Sequence, residues 1–163
     1  MLQLADRLVL LEQGKQMDFG SIEQLTNGSK SPFAHHKHCC SMLEVEGLNA
    51  PSEAGLHPLS VEGQQLWLPS LAVPEGEKRR LVIMARDVAI SRQPLPQTSV
   101  VNQLSCQLKG IEVQDEYRVF LQLGMGEQQL LALIPRRSCE KLQLKLGENL
   151  YALVKSVALN RAL

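Results

Sequence analysis

Leu81-Val-Ile-Met-Ala-Arg-Asp-Val-Ala-Ile90 aligns without a gap on Leu150-Tyr-Ala-Leu-Val-Lys-Ser-Val-Ala-Leu159, 69 residues further along the chain. In each copy an aliphatic strand runs into a basic residue, Arg86 or Lys155. A small polar residue follows, Asp87 or Ser156, and then Val-Ala and another aliphatic. Each copy closes a series of short β segments, so the pair reads as the ends of two related half-barrels.

Working outward, β character also marks residues 42–48, 65–68, 105–113, 117–123 and 128–134. Turn formers separate most of these runs, among them Asn49-Ala-Pro-Ser52, Pro74-Glu-Gly76 and Leu146-Gly147. Short strands at this spacing argue a barrel or sandwich rather than alternating β and α elements. Upstream, Arg7-Leu-Val-Leu-Leu-Glu12 reads as a strand, Gln13-Gly-Lys15 as a turn, and the run ending at Gly20 as the second arm of a hairpin. Ser21 with Gln24 three residues later predicts a capped short helix that Asn27-Gly28 stops. Residues 27–41 carry turn formers without periodicity and read as a linker. The expected organisation is therefore hairpin plus short helix over 1–26, linker over 27–41, a first β half-barrel over 42–93 and a second β unit over 94–163.

Composition narrows the function classes. Lys and Arg number 17, as do Asp and Glu, with no long block of either sign and only 4% aromatic residues. That pattern lacks the footprint of a nucleic-acid or membrane-surface binder. The apolar runs, such as Leu8 to Leu11, fall far short of the roughly 20 residues a membrane helix needs, so no bilayer insertion is expected. The start of the chain lacks a basic segment followed by an apolar one, which points to cytoplasmic residence. Cys39 and Cys40 are adjacent while Cys106 and Cys139 stand alone, a spacing that gives neither a disulfide framework nor paired zinc knuckles. His35, His36, His38, Cys39 and Cys40 are all ligand types, yet they sit in the linker without a second pair, so no structural metal is expected. Asp87, Asp115 and Glu116 lack a His or nucleophile partner, and no catalytic residue is assigned. Trp67, the sole tryptophan, reads as core or edge-strand packing.

The polar groups of interest lie in Gln97-Thr-Ser-Val-Val-Asn102 and Val154-Lys-Ser-Val157, both at strand ends. A fully deprotonated tetrahedral oxyanion offers only acceptors, so its site must supply hydroxyls, backbone N–H groups and a cation. Thr98, Ser99, Lys155 and Ser156 are donors of that kind. The plainer reading of the same residues is that Thr98-Ser99 leads into a strand and Lys155 is a solvated charge.

Pro96-Gln-Thr-Ser-Val-Val-Asn-Gln-Leu-Ser-Cys-Gln-Leu108, taken with Leu146-Gly-Glu-Asn-Leu-Tyr-Ala-Leu-Val-Lys-Ser-Val-Ala-Leu159, resembles the Mop domain, a molybdate-binding, TOBE-like module. Ala85-Arg-Asp-Val88 resembles the strand preceding that module in the ATP-binding subunit of bacterial molybdate importers. Leu4-Ala-Asp-Arg-Leu-Val-Leu-Leu-Glu-Gln-Gly-Lys15 with Phe19-Gly20 is similar to the last hairpin of an ABC ATPase domain. The resemblance implies a mainly β fold: OB-like Mop/TOBE barrels preceded by a hairpin-and-helix remnant of the ATPase. It implies a regulatory domain binding molybdate or tungstate through Thr98, Ser99, Asn102, Lys155 and Ser156. It further implies a homodimer that meets the importer's membrane permease subunits at the inner face of the cell membrane, with ATP bound only in the full-length subunit. The family pattern often reads Thr-Ser-x-Arg-Asn, whereas this chain has Val101 at the basic position, which removes a planar, always charged donor. The chain holds no GxxxxGK[ST] phosphate loop, so no ATP hydrolysis is expected of it alone. A competing reading, motivated by Val101, makes the barrel a dimerisation module without a ligand.

Overall fold

The computed structural model describes residues 7–12, 15–21, 40–69 and 73–158. Strands β1 (Arg7–Glu12) and β2 (Lys15–Ser21) pair antiparallel as the expected hairpin, with a register shift between Leu10 and Leu11. Ser21, read from sequence as a helix cap, is the last residue of β2. The expected helix, most of the linker and His35–Cys39 lie outside the described residues.

Two antiparallel sheets follow. The first contains β3 (Cys40–Gly47), β4 (Leu56–Val61), β5 (Gln64–Pro69) and β6 (Lys78–Met84), in the order β5-β4-β3-β6. The second contains β7 (Val88–Ser91), β8 (Asn102–Val113), β9 (Arg118–Met125), β10 (Gln128–Pro135) and β11 (Asn149–Val154), in the order β10-β9-β8-β11-β7. Residues on alternate positions face opposite sides of a strand. Leu104, Cys106 and Leu108 on β8 are buried while Ser105 and Lys109 are exposed, and Leu66 and Leu68 on β5 are buried beside exposed Gln65. These inward faces, with Leu43, Leu59, Leu81, Leu121, Leu130 and Leu150, merge into one core drawn from both sheets. Fully burying one such leucine is worth roughly 2 kcal/mol, so the shared core welds the halves together.

The halves are topological copies: within each, the strand order is third-second-first-fourth. Ser41 on β3 faces Ile83 on β6, and Asn102 on β8 faces Val154 on β11. Single 3-10 turns follow at corresponding places, Ala85–Asp87 and Ser156–Ala158. The equivalence therefore sets Ile83 against Val154 and Ala85 against Ser156, two residues out of step with the gapless sequence alignment. A two-residue slip leaves the alternation of a strand intact, which is why the aliphatic pattern matches equally well in either register.

Four further differences from the sequence reading are local. Residues 81–90 do not make one strand: β6 ends at Met84, the 3-10 turn redirects the chain, and β7 pairs with β11 of the other sheet. β3 begins at Cys40, inside the stretch read as linker. β4 was not expected; it holds Pro58, and proline cannot donate to a ladder. Helix α1 (Arg136–Leu142) also went unread; it is one short segment closed by Gln143 in the left-handed conformation, whose N–H reaches the Cys139 and Glu140 carbonyls.

The seam between the halves is stitched by side chains. Gln64 brackets Ser105, accepting from its N–H at 2.7 Å and donating to its carbonyl at 2.9 Å. Gln128 does the same to Glu44, at 2.7 and 3.0 Å. Gln64 and Gln128 each open the second strand of a tight hairpin, β4–β5 or β9–β10, so these brackets are symmetry-related. The first hairpin turns through Glu62 (φ 49°) and Gly63 (φ 73°), the paired positive angles of a type I′ turn. At the next corresponding position, Ser41 Oγ accepts from Leu131 N–H at 2.7 Å and Asn102 Oδ1 accepts from Trp67 N–H at 2.7 Å.

Candidate oxyanion site

The pairing of β8 with β11 decides where the candidate donors go. Asn102 faces Val154 and Gln103 faces Leu153, so residues 98–101 enter the sheet at the end that Lys155 and Ser156 leave. Thr98 and Ser99 lie in the connection 92–101, and Gln103 fastens that connection by bracketing Leu95 at 2.8 and 2.9 Å. Thr98 Oγ1 accepts the Val100 N–H at 3.1 Å, a local turn that leaves its hydroxyl hydrogen free to donate outward. Thr98, Ser99 and Lys155 are exposed, while Ser156 is buried at the start of its 3-10 turn. Within that turn the Ala158 N–H donates to the Lys155 carbonyl at 3.0 Å. Lys155 forms no ion pair among the described residues. Neither 92–102 nor 154–158 contains a carboxylate. Three hydroxyls and one ammonium come to this sheet end, beside Asp87, which precedes the Val88 that faces Val154 and lies 3.9 Å from the Arg86 guanidinium.

The domain that carries this sheet end is recognisable by family. Its residues 98–160 match the TOBE domain. The relatives of the chain extend beyond it: over 161 residues the chain is 35% identical to molybdenum import ATP-binding protein ModC of Rhodopseudomonas palustris strain HaA2, covering 96% of this chain and 43% of that protein. Against molybdenum import ATP-binding protein ModC of Rhodobacter capsulatus the identity is 30% over 162 residues, 97% of this chain and 45% of that one. The chain is thus homologous to these subunits along nearly its whole length and spans less than half of theirs. A solved structure of the cytoplasmic molybdate-binding protein ModG, with molybdate bound, shares the fold, with a TM-score of 0.59 over 75% of this chain and 92% of that chain at 16% identity.

Inside the TOBE domain, Asn102 differs from the other candidates. It is 1% exposed, and its amide is committed to the backbone of one residue in the other half: Oδ1 accepts from Trp67 N–H, and Nδ2 donates to the Trp67 carbonyl at 3.0 Å. Trp67 was read from sequence as packing alone, and its backbone proves to be the other wall of this corner. The signal available in the sequence was the run of two amides, Asn102-Gln103, at the start of the TOBE domain's first strand. Val101 is 46% exposed beside Asn102 and offers no hydrogen bond.

Cysteine chemistry contributes little here. Burial pushes the Cys106 thiol up to about 11, and it raises Cys40 as well. Both therefore stay protonated at neutral pH, the inert form toward metals and electrophiles. Among the described residues, no group of three His, Cys, Asp or Glu is placed to hold a metal ion, and no helix is long and apolar enough to cross a membrane.

Proposed function

We propose that this chain is the regulatory, oxyanion-binding C-terminal portion of the ATP-binding subunit of a molybdate importer, with Thr98, Ser99, Lys155 and Ser156 as the ligand donors and Asn102 beside them. The observation that carries the reading is the pairing of Asn102 with Val154, which delivers both donor segments to one sheet end. Homology to molybdenum import ATP-binding proteins supports molybdate as the ion, with tungstate the natural competitor because both are tetrahedral dianions. The ATPase chemistry and the permease contacts belong to the longer subunit, at the cytoplasmic face of the membrane. Exposed donors alone hold an ion weakly, since solvent screens them. A second copy of the chain packed over this sheet end supplies the missing wall, which makes a homodimer part of the proposal. Binding there then shifts the ATPase between arrangements only to the extent that the two differ in affinity for the ion.

Calorimetric titration with sodium molybdate, tungstate and sulfate tests the site. Saturable heat with molybdate, weakened by Lys155→Ala and by Ser156→Ala, is the expected result. Folded protein giving no heat and no thermal shift at millimolar molybdate rejects it. Val101 favours a second reading, a dimerisation module without a ligand: that reading predicts a dimer in sedimentation whose association is indifferent to molybdate.

A further inference from the structure

The least expected feature of the corner is that its most buried polar side chain is wholly engaged by protein backbone. Asn102 spends both ends of its amide on Trp67, across the seam between halves. The 3-10 turn that Ser156 opens also lies against β5, the strand to which Trp67 belongs. The two donor segments are therefore tied to each other by the β8–β11 ladder and to the first half through β5.

The first half has the same corner built without the candidate donors. Its equivalents of Lys155 and Ser156 are Met84 and Ala85, and its equivalent of Asn102 is Ser41, which makes a single bond to Leu131 N–H. One bond suffices to close the seam. The second half, which carries the donors, uses a two-handed amide that fixes the direction of the strand end as well as its distance. From this contrast we infer that Asn102 is a positioning residue for the oxyanion site rather than a ligand, and that Trp67 reports the site's occupancy.

The inference rests on the oxyanion reading of Thr98, Ser99, Lys155 and Ser156. It follows physically because donors aimed at a small ion lose much of their value when they are displaced by a fraction of a bond length, whereas a strand end held at two points keeps them in place. An ion drawing those donors inward also pulls on the bracket, and Trp67 is the sole tryptophan of the chain and half-buried. Its emission is therefore a direct readout of the corner.

The test uses the 163-residue chain and sodium molybdate, with calorimetry and tryptophan emission followed on the same samples. In the unaltered protein, emission should change with the same midpoint as the heat. Asn102→Ala should weaken binding by about tenfold or more and abolish the emission response, although no ligand contact is removed. Asn102→Ser, which copies the single bond of Ser41, should close the seam yet bind severalfold more weakly than the unaltered protein, and is the variant of record if Asn102→Ala does not fold. Heat without an emission change in the unaltered protein overturns the reporter role. Folded Asn102→Ala or Asn102→Ser binding as the unaltered protein does, with its emission response intact, overturns the positioning role. Absence of heat in the unaltered protein removes the site itself and this inference with it, an outcome distinct from the other two.

Discussion

Single residues decide the strength of the corner. Truncating Asn102 to Ala leaves the N–H and carbonyl of Trp67 without their partner in a partly buried setting, and the expected loss is about 2–3 kcal/mol of unfolding free energy. Ser41→Ala should cost less, about 1–2 kcal/mol, because only the Leu131 N–H is orphaned. Denaturant unfolding of the two variants side by side checks the order. Glu148 makes a pH-dependent contribution near the start of β11. The Lys145 N–H at 2.7 Å, and after it the Arg92 guanidinium, hold its carboxyl below the ordinary value of 4.5. A carboxylate lowered on folding stabilises fully above its ordinary value and loses that contribution as pH falls through the lowered one. The Tm gap between the unaltered protein and Glu148→Gln should therefore be present at pH 7 and close steadily below about pH 4.5. Legibility at this scale was uneven. Lys155 and Ser156 stood out by type and position as the proposed donors, while the brackets were invisible because an amide's partner is a backbone group far away in sequence, which no residue pattern encodes.

Elements were easier to see than to assign. Strands β3, β5, β8, β9 and β10 were legible as aliphatic runs between turn formers, since period-two burial writes itself into composition. What the pattern does not carry is which sheet a strand joins. Residues 81–90 have uniform β character, yet the turn at Ala85–Asp87 sends β6 and β7 into different sheets. Ala85 is buried against Phe120 and Leu131, and that contact, made with another element, fixes the bend. Close approach constrains β3 in the same way. A Cβ on Gly47 would lie 2.1 Å from the Pro74 carbonyl oxygen, a backbone atom that cannot swing aside. Gly47→Ala should accordingly lose about 3 kcal/mol, read as a lowered denaturation midpoint with an unchanged slope.

For the whole molecule, the two copies of one topology differ in chemistry at equivalent corners: Lys155 and Ser156 in one, Met84 and Ala85 in the other. The expected stoichiometry is one oxyanion per chain, and a calorimetric titration settling at two would contradict the asymmetry. The gapless alignment hid this by setting Arg86 against Lys155 and Asp87 against Ser156, which made the first half look similarly equipped. Correct register came only from the ladders. The fold class and family were legible because they rest on many residues at once, whereas the register rests on a two-residue choice to which an alternating strand is indifferent.

The passage of the chain from β6 to β7 also bears on how the protein can be cut. A piece beginning at residue 94 contains every proposed ligand donor, yet it leaves the outer edge of β11 bare where β7 had paired, and strips β8 of the bracket from Gln64. Bare edges recruit strands from other molecules. Such a piece should elute as associated species whose size grows with concentration, while a piece beginning at residue 40 stays discrete. A unit whose edge strand and brackets come from its neighbour acts with it as a single inherited object, to be duplicated, fused or lost together.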